Sequence, residues 1–126
     1  MASTTLKKER PLHIRFASYG ADDDPEFKYE LVILISGSLR ELREAAALSL
    51  SSGGSDLFKR AAHKAKSTLT LIDDCEFNEA VETFTTSVAA VEKDTRDRAF
   101  EQFDSISQSI IESLDREADH LRQQLG

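Results

Sequence analysis

Apolar side chains recur at helical spacing along most of this chain, and this periodicity limits the possible folds more than any other feature. At 100° per residue, side chains three and four positions apart lie on one face of a helix. The longest such stripe lies in the C-terminal part of the chain, at Ala99, Phe100, Phe103, Ile106, Ile110, Leu114, Leu121 and Leu125. It predicts a long amphipathic helix with one buried face.

Two further stripes predict the cores of a first and a third helix. They comprise Phe27, Leu31, Leu34, Ile35, Leu39, Leu42 and Ala46, and then Phe77, Ala80, Val81, Phe84, Val88 and Val91. Helix-start signals lie nearby: Asp24 before Pro25 predicts an N-cap and a first helical position, and Ser55 and Asp74 predict two more N-caps. We expect the helices at residues 25–50, 55–72, 75–92 and 95–124.

Four amphipathic helices joined by short links predict an all-α protein, an antiparallel up-down four-helix bundle with a short N-terminal lead-in segment. With 126 residues the chain is expected to form one domain over residues 12–126, after a flexible leader at residues 1–11. Leu12, Ile14 and Phe16 alternate as in a strand. Because no second strand is predicted to pair with them, we expect a short extended or one-turn helical segment over the end of the bundle.

Charge is unevenly distributed along the chain. Residues 58–72, called the basic island below, contain Lys59, Arg60, Lys64 and Lys66 and no acidic residue. Since the whole chain has 16 basic and 23 acidic residues, the remainder holds 12 basic against 23 acidic ones. An acidic surface repels nucleic acid, so no nucleic-acid partner is expected. The basic island suits a single phosphoryl group or an acidic pocket on a partner.

Neither a membrane span nor a disulfide is predicted. The longest unbroken apolar run, residues 31–35, is far shorter than the ~20 residues that a span needs. No apolar signal-peptide segment follows the N-terminal basic residues. Cys75 is the single cysteine, so no internal disulfide can form, as is usual in a reducing compartment. We therefore expect a cytoplasmic protein without membrane contact.

A histidine lies opposite the apolar face of the basic island. On a helix, Phe58, Ala61, Ala65, Leu69 and Ile72 face one side and His63 the other. The side chains within about 60° of His63 are polar: Lys59, Arg60, Lys66, Ser67 and Thr70. The sequence predicts that His63 is exposed rather than buried.

Such a histidine can act as a nucleophile toward phosphorus. A neutral imidazole can take a phosphoryl group on nitrogen, and the transfer asks little of the protein beyond positioning and charge stabilisation. Lys66, three residues on, and Lys59, four residues before, can supply cations, and the hydroxyls of Ser67 and Thr70 can donate hydrogen bonds. From these residues alone, an ordinary exposed histidine on a basic helix face stays an open alternative.

The segment Ala62-His63-Lys64-Ala65-Lys66-Ser67-Thr68-Leu69 resembles the phosphorylation motif of histidine-containing phosphotransfer (HPt) domains. The family pattern is roughly Ala-His-x-Leu-Lys-Gly/Ser-Ser on the second helix of a four-helix bundle. The segment Asp23-Asp24-Pro25-Glu26-Phe27, followed by spaced leucines, resembles the start of the family's first bundle helix. The resemblance covers roughly residues 12–92. Three positions depart from the family pattern: Ala65 replaces the usual Leu, Ser67 stands where Gly is commonest, and Asp73 stands where Gly often ends the helix.

The resemblance implies a phosphorelay intermediate. His63 would accept a phosphoryl group and Lys66 would contact it, and the partners would be receiver domains of response regulators and a hybrid or sensor histidine kinase. Mg²⁺ would be bound by the receiver, so this chain would need no cofactor of its own and no ATP site. It would act as a monomer. The partner-binding residues would be Lys59, Arg60, Lys64, Ser67 and Thr70.

Two other functions stay open at this stage. The chain could be a helical docking module that binds receiver domains without being phosphorylated, or a scaffold that oligomerises through the apolar stripe of its last helix. The scaffold predicts that this stripe is exposed in the monomer. A metal site is not expected, because Glu117 and His120 lack the second Glu-x-x-His pair of di-iron bundles. Cys75 lacks a basic neighbour that would make its thiol reactive.

Overall fold

A computed structural model describes residues 13–16, 24–52, 54, 56–90 and 92–126. Over these residues the chain forms five α-helices: α1 (Pro25–Ser52), α2 (Asp56–Lys64), α3 (Lys66–Leu69), α4 (Cys75–Ser87) and α5 (Lys93–Leu125). The described part contains no strand, so the all-α expectation is confirmed. The leader at residues 1–11, the cap at Ser55 and the core position Val91 lie outside the described residues.

Two of the predicted helix starts are confirmed by their capping bonds. The carboxylate of Asp24 accepts a hydrogen bond from the backbone N–H of Phe27 at 3.1 Å. Asp74 accepts in the same way from Phe77 at 3.0 Å. Each cap satisfies one of the amide groups that the first helical turn leaves without an acceptor.

The last helix begins at Lys93, two residues before the position expected from the sequence. The Lys93 ammonium donates to the Asp97 carboxylate at 2.9 Å, one turn further along α5. This hydrogen bond, together with the charge of Asp97, raises the pKa of Lys93 above its usual value. An ion pair of this spacing supports the first turn of a helix.

The expectation of one helix over residues 55–72 is wrong. The helix is interrupted at Ala65, whose backbone has φ −88° and ψ 0°, and regular helix ends at Leu69. Beyond Leu69 the amides of Leu71 and Ile72 bond three residues back, to Thr68 and Leu69. The next amide, that of Asp73, donates instead to His13 at 2.8 Å. The helix stops where a backbone amide bonds to a distant segment of the chain instead of to a carbonyl of the helix itself.

That distant segment is residues 13–16, which run antiparallel to the link between α3 and α4. Ile14 and Ile72 form an isolated β-bridge. The amide of Arg15 donates to Leu71 at 2.9 Å, and its guanidinium pairs with Asp73 at 3.0 Å. The predicted extended segment is therefore confirmed, but the expectation that it lacks a pairing partner is wrong.

The third helix also ends earlier than the expected residue 92, since α4 stops at Ser87. Threonine hydroxyls near its end bond to the helix's own carbonyls. Thr85 donates to Val81 at 2.7 Å, and Thr86 donates to Thr83 at 3.0 Å. Threonine hydroxyls that bond in this way weaken a helix, which fits an early end to α4.

The core lies between the helices, with α1 and α4 against α5 and with α2 and α3 against α1. Phenylalanine rings connect three of these helices. The ring of Phe58 in α2 packs edge-on against Phe84 of α4 and Phe103 of α5, with distances between ring centroids of 4.7 and 5.3 Å. Such pairs add to the apolar area that the rings bury. The apolar stripe of α5 is buried, except for Phe100, which is half-buried, and Leu125 at the end. The exposed stripe that the oligomeric scaffold predicts is therefore not found.

Two ion pairs connect α1 with α5. Arg40 pairs with Asp115 at 2.7 Å, and Arg43 pairs with Asp104 at 2.8 Å. Because the higher-numbered arginine meets the lower-numbered aspartate, the two helices run in opposite directions. Both helices are long. None of the helices in the described part of the chain, however, is both long and apolar enough to cross a bilayer.

The buried face of α1 differs in part from the one that the apolar pattern predicts. Leu34, expected in the core, has 53% of its surface exposed, whereas Val32 is fully buried. Since α5 and α2 both pack against α1, its buried face is wide and includes Val32 and Ser36, on the side away from Leu34. A single stripe of apolar residues does not reveal which of its edges the neighbouring helices cover.

Candidate functional site

His63 lies in the last turn of α2, exposed to solvent and two residues before the interruption at Ala65. The helix holds this orientation because Phe58, on its other face, is fully buried in the aromatic cluster. The exposure predicted for the histidine is confirmed. The other expected site residues are exposed as well: Lys59, Arg60, Lys64, Lys66, Ser67 and Thr70.

A groove of about 380 Å³ opens beside the histidine, between α2–α3 and α4. We call it the His63 groove. It is lined by Ala62, His63, Lys66, Leu69, Thr70, Phe77, Asn78, Val81 and Glu82. The groove exists because α4 packs mainly on α5, while the Phe58–Phe84 ring contact links α4 to α2 further along the helix.

The groove brings together three of the expected site residues. His63 of α2, Lys66 of α3 and Thr70 after α3 all line it, although the helix is interrupted between the first two. The one-residue break at Ala65 therefore keeps Lys66 on the histidine's side. Lys59, Arg60 and Ser67 are exposed but do not line the groove.

Lys64 lies on a different side of the helix pair. It lines a second cavity of about 160 Å³, which faces α1 and is called the Ala65 cavity below. The residues around it are Ser38, Glu41, Leu42, Ala61, Lys64, Ala65 and Thr68. A leucine at position 65, as the HPt motif usually has, would extend into this space. Ala65 therefore leaves open the space that a longer side chain would occupy.

The hydroxyl of Thr70 is already engaged within its own segment. It donates to the carbonyl of Ser67 at 2.8 Å, so in this conformation it offers the groove an acceptor rather than a donor. On the α2–α3 wall, the donors toward an anion in the groove are consequently the Lys66 ammonium and, depending on its tautomer, the His63 ring.

The far wall of the groove comes from α4, and sequence reasoning missed it. Asn78 and Glu82 are exposed there one turn apart, next to Val81 and the buried Phe77. Spacing along α4 indicated that Phe77 and Val81 belong to the core. Nothing in the sequence indicated that the neighbouring polar residues would face the basic island, because this depends on how α4 is placed on α5.

Charges of opposite sign line the two walls. Lys66 lies on the α2–α3 wall and Glu82 on the α4 wall, and within the described residues neither has an ion-pair partner within 4.0 Å. Their charges remain available to a bound molecule. The described part of the chain has no group of three or more His, Cys, Asp or Glu residues that could hold a metal ion. The arrangement offers an accessible imidazole with a cation beside it.

Comparisons with known proteins do not assign the chain to a family. Neither protein-family models, nor curated proteins, nor solved structures give a match. The likeness to HPt domains therefore depends on the residues of the motif and on the geometry around His63.

Proposed function

We propose that this protein is a phosphorelay intermediate, in which His63 accepts a phosphoryl group from a receiver-domain aspartate or a sensor kinase and passes it to another receiver domain. The observation that carries the proposal is the exposed His63 ring on the rim of a groove that it shares with Lys66. The motif around these two residues is the second support.

The proposal includes the bundle architecture of the HPt family. Taken together, α2 and α3 would count as one interrupted helix, which with α1, α4 and α5 would make an antiparallel up-down four-helix bundle. The opposite directions of α1 and α5 support this topology. We further propose that the protein acts as a cytoplasmic monomer.

In the proposed reaction a ring nitrogen of neutral His63 attacks the phosphorus of an aspartyl phosphate. The N–P bond forms while the bond from phosphorus to the aspartate oxygen breaks, and the aspartate leaves as a carboxylate. Lys66 contacts a phosphoryl oxygen and offsets its charge. The second receiver takes the group by the reverse displacement, which returns His63 to the neutral imidazole.

The partner surface follows from charge. A receiver's phosphorylation pocket is acidic and would hold Mg²⁺, so this chain supplies no metal of its own. Lys59, Arg60 and Lys64 would meet that acidic surface, with Ser67 and Thr70 nearby, and complementary charge would speed encounter more than it would tighten the complex.

Phosphoryl transfer to the protein tests the proposal directly. We would incubate it with phosphorylated receiver domains and, separately, with phosphoramidate, a small phosphoryl donor that needs no docking partner. We expect acid-labile, base-stable phosphate on wild-type protein and none on His63→Gln. The matched controls His13→Gln and His120→Gln remove other exposed histidines and should be labelled like the wild type.

The role of Lys66 has its own control. With phosphoramidate, Lys66→Gln should slow labelling about tenfold, equivalent to about 1.4 kcal/mol of lost transition-state stabilisation. Lys64→Gln, on the α1 side of the helix pair, should leave that rate unchanged. If neither donor labels His63 under any condition, the relay is excluded, and receiver binding without labelling would support the docking module instead.

A further inference from the structure

The His63 groove has the features of a site for a small molecule with two charges. Its floor is apolar, with Phe77 and Leu69 buried and Val81 half-buried. One wall carries the Lys66 ammonium, and the other carries the Glu82 carboxylate. Small-molecule sites commonly combine an apolar surface with a few polar groups that fix orientation.

The two charges do not neutralise each other. Lys66 and Glu82 form no ion pair within 4.0 Å across the groove in the described structure, so each lacks a partner there. An anionic ligand alone would leave Glu82 nearby and unpaired, and a cationic one would do the same to Lys66. A ligand with both charges satisfies both walls at once.

We propose that the His63 groove binds a free zwitterion of the α-amino-acid class with an apolar side chain. Its carboxylate lies at Lys66 and His63, and its ammonium donates to Glu82 and to the side-chain carbonyl of Asn78. Its side chain covers the apolar floor. An α-amino acid carries both charges at one end and its side chain at the other, so one molecule offers a charge to each wall and an apolar group to the floor.

The size of the groove fits this ligand class. About 380 Å³ is near the lower end of the range for small-molecule pockets, which favours a ligand of amino-acid size over a nucleotide or a larger cofactor. The groove is open to solvent and its charged residues are exposed, so we expect a dissociation constant of about 1 mM.

The inferred site has a consequence for the histidine. A bound zwitterion occupies the space beside the His63 ring and competes with an incoming phosphoryl group for Lys66. Saturating ligand should therefore slow labelling of His63 severalfold. This consequence depends on the proposed function, whereas ligand binding itself does not.

Amide chemical-shift changes on unphosphorylated protein test binding without involving phosphotransfer. L-phenylalanine should give saturable shifts confined to groove residues. Phenylacetate lacks the ammonium, phenethylamine lacks the carboxylate, and N-acetyl-L-phenylalaninamide lacks both charges. We expect each analogue to bind at least about fivefold more weakly, because each leaves at least one wall unpaired.

Matched variants assign the shifts to the groove. Glu82→Gln should weaken L-phenylalanine binding but not phenylacetate binding, while Glu79→Gln, exposed on the same helix outside the groove, should change neither. Lys66→Gln should weaken phenylacetate, with Lys59→Gln as its control. Val81→Phe, which fills the floor, should abolish binding of L-phenylalanine.

Three results would overturn the site. The first is an absence of saturable shifts with L-phenylalanine. The second is equal binding of the uncharged N-acetyl-L-phenylalaninamide, which would indicate a groove for a peptide side chain. The third is an unchanged affinity for L-phenylalanine in Glu82→Gln. Labelling of His63 in any of these cases would leave the phosphorelay proposal standing. Conversely, binding without labelling would support the ligand site and exclude the relay.

Discussion

The hydroxyl of Ser49, fully buried near the end of α1, accepts a hydrogen bond at 3.0 Å from the backbone N–H of Phe58 in the first turn of α2. The first four amides of a helix have no acceptor within the helix itself. A side chain from the preceding helix therefore caps α2, the helix that carries His63. The bond also fixes Phe58 at the point where its ring enters the aromatic cluster.

Ser49→Ala should lower the free energy of unfolding by about 1–2 kcal/mol, because it leaves a buried amide without an acceptor. Ser51→Ala is the control, since Ser51 is exposed and bonds only to carbonyls of its own helix. Denaturant unfolding followed by circular dichroism measures both. Equal stability of the two variants would show that the Ser49–Phe58 bond does not stabilise the start of α2.

Ala65→Leu should stabilise the protein by about 1 kcal/mol, since its added methylenes enter the Ala65 cavity and contact the buried Leu42. Ala47→Leu, at an exposed position of α1, provides the comparison and should change stability by less than about 0.5 kcal/mol. Thermal and denaturant unfolding give the values. A loss of stability in Ala65→Leu would mean that the cavity is too small for the side chain.

Ser107→Ala should raise the free energy of unfolding by about 1 kcal/mol. The Ser107 hydroxyl is fully buried in α5 and has no hydrogen-bond partner in the described structure. On folding it loses its hydrogen bonds to water and gains none in return, and alanine avoids this cost. Ser113→Ala on the same helix should do the opposite, because Ser113 accepts a bond from Arg116 at 3.1 Å. If both variants are destabilised in denaturant unfolding, the Ser107 hydroxyl has a partner in solution.

The Arg43–Asp104 pair should contribute more to stability than the Arg40–Asp115 pair. The first two side chains are each 30% exposed, whereas the second two are 53% and 51% exposed and more strongly screened by solvent. Double-mutant cycles with alanine should give coupling energies of about 1 and about 0.3 kcal/mol, respectively. Both values should fall at about 1 M salt. A larger coupling for Arg40–Asp115 would contradict the dependence on burial.

Local patterns predicted much of the helical structure, since they act within one or two turns. The caps at Asp24 and Asp74 depend on a carboxylate and an amide three residues away. The exposure of His63 depends on the opposite face of one amphipathic helix. The sequence could not predict the end of α3, which depends on pairing between residues 13–16 and the segment around Ile72.

By itself, the sequence determined that the chain is helical, which faces of most helices are buried, and that His63 lies outside the core beside cations. Apolar spacing and capping residues dictate these features through short-range contacts. Tertiary structure alone decided that Leu34 faces solvent, that the helix breaks at Ala65 without moving Lys66 away from His63, and that Asn78 and Glu82 form the opposite wall of the groove. Each of these depends on where one helix is placed against another, and helix placement is set by the packing of the whole core rather than by any local pattern.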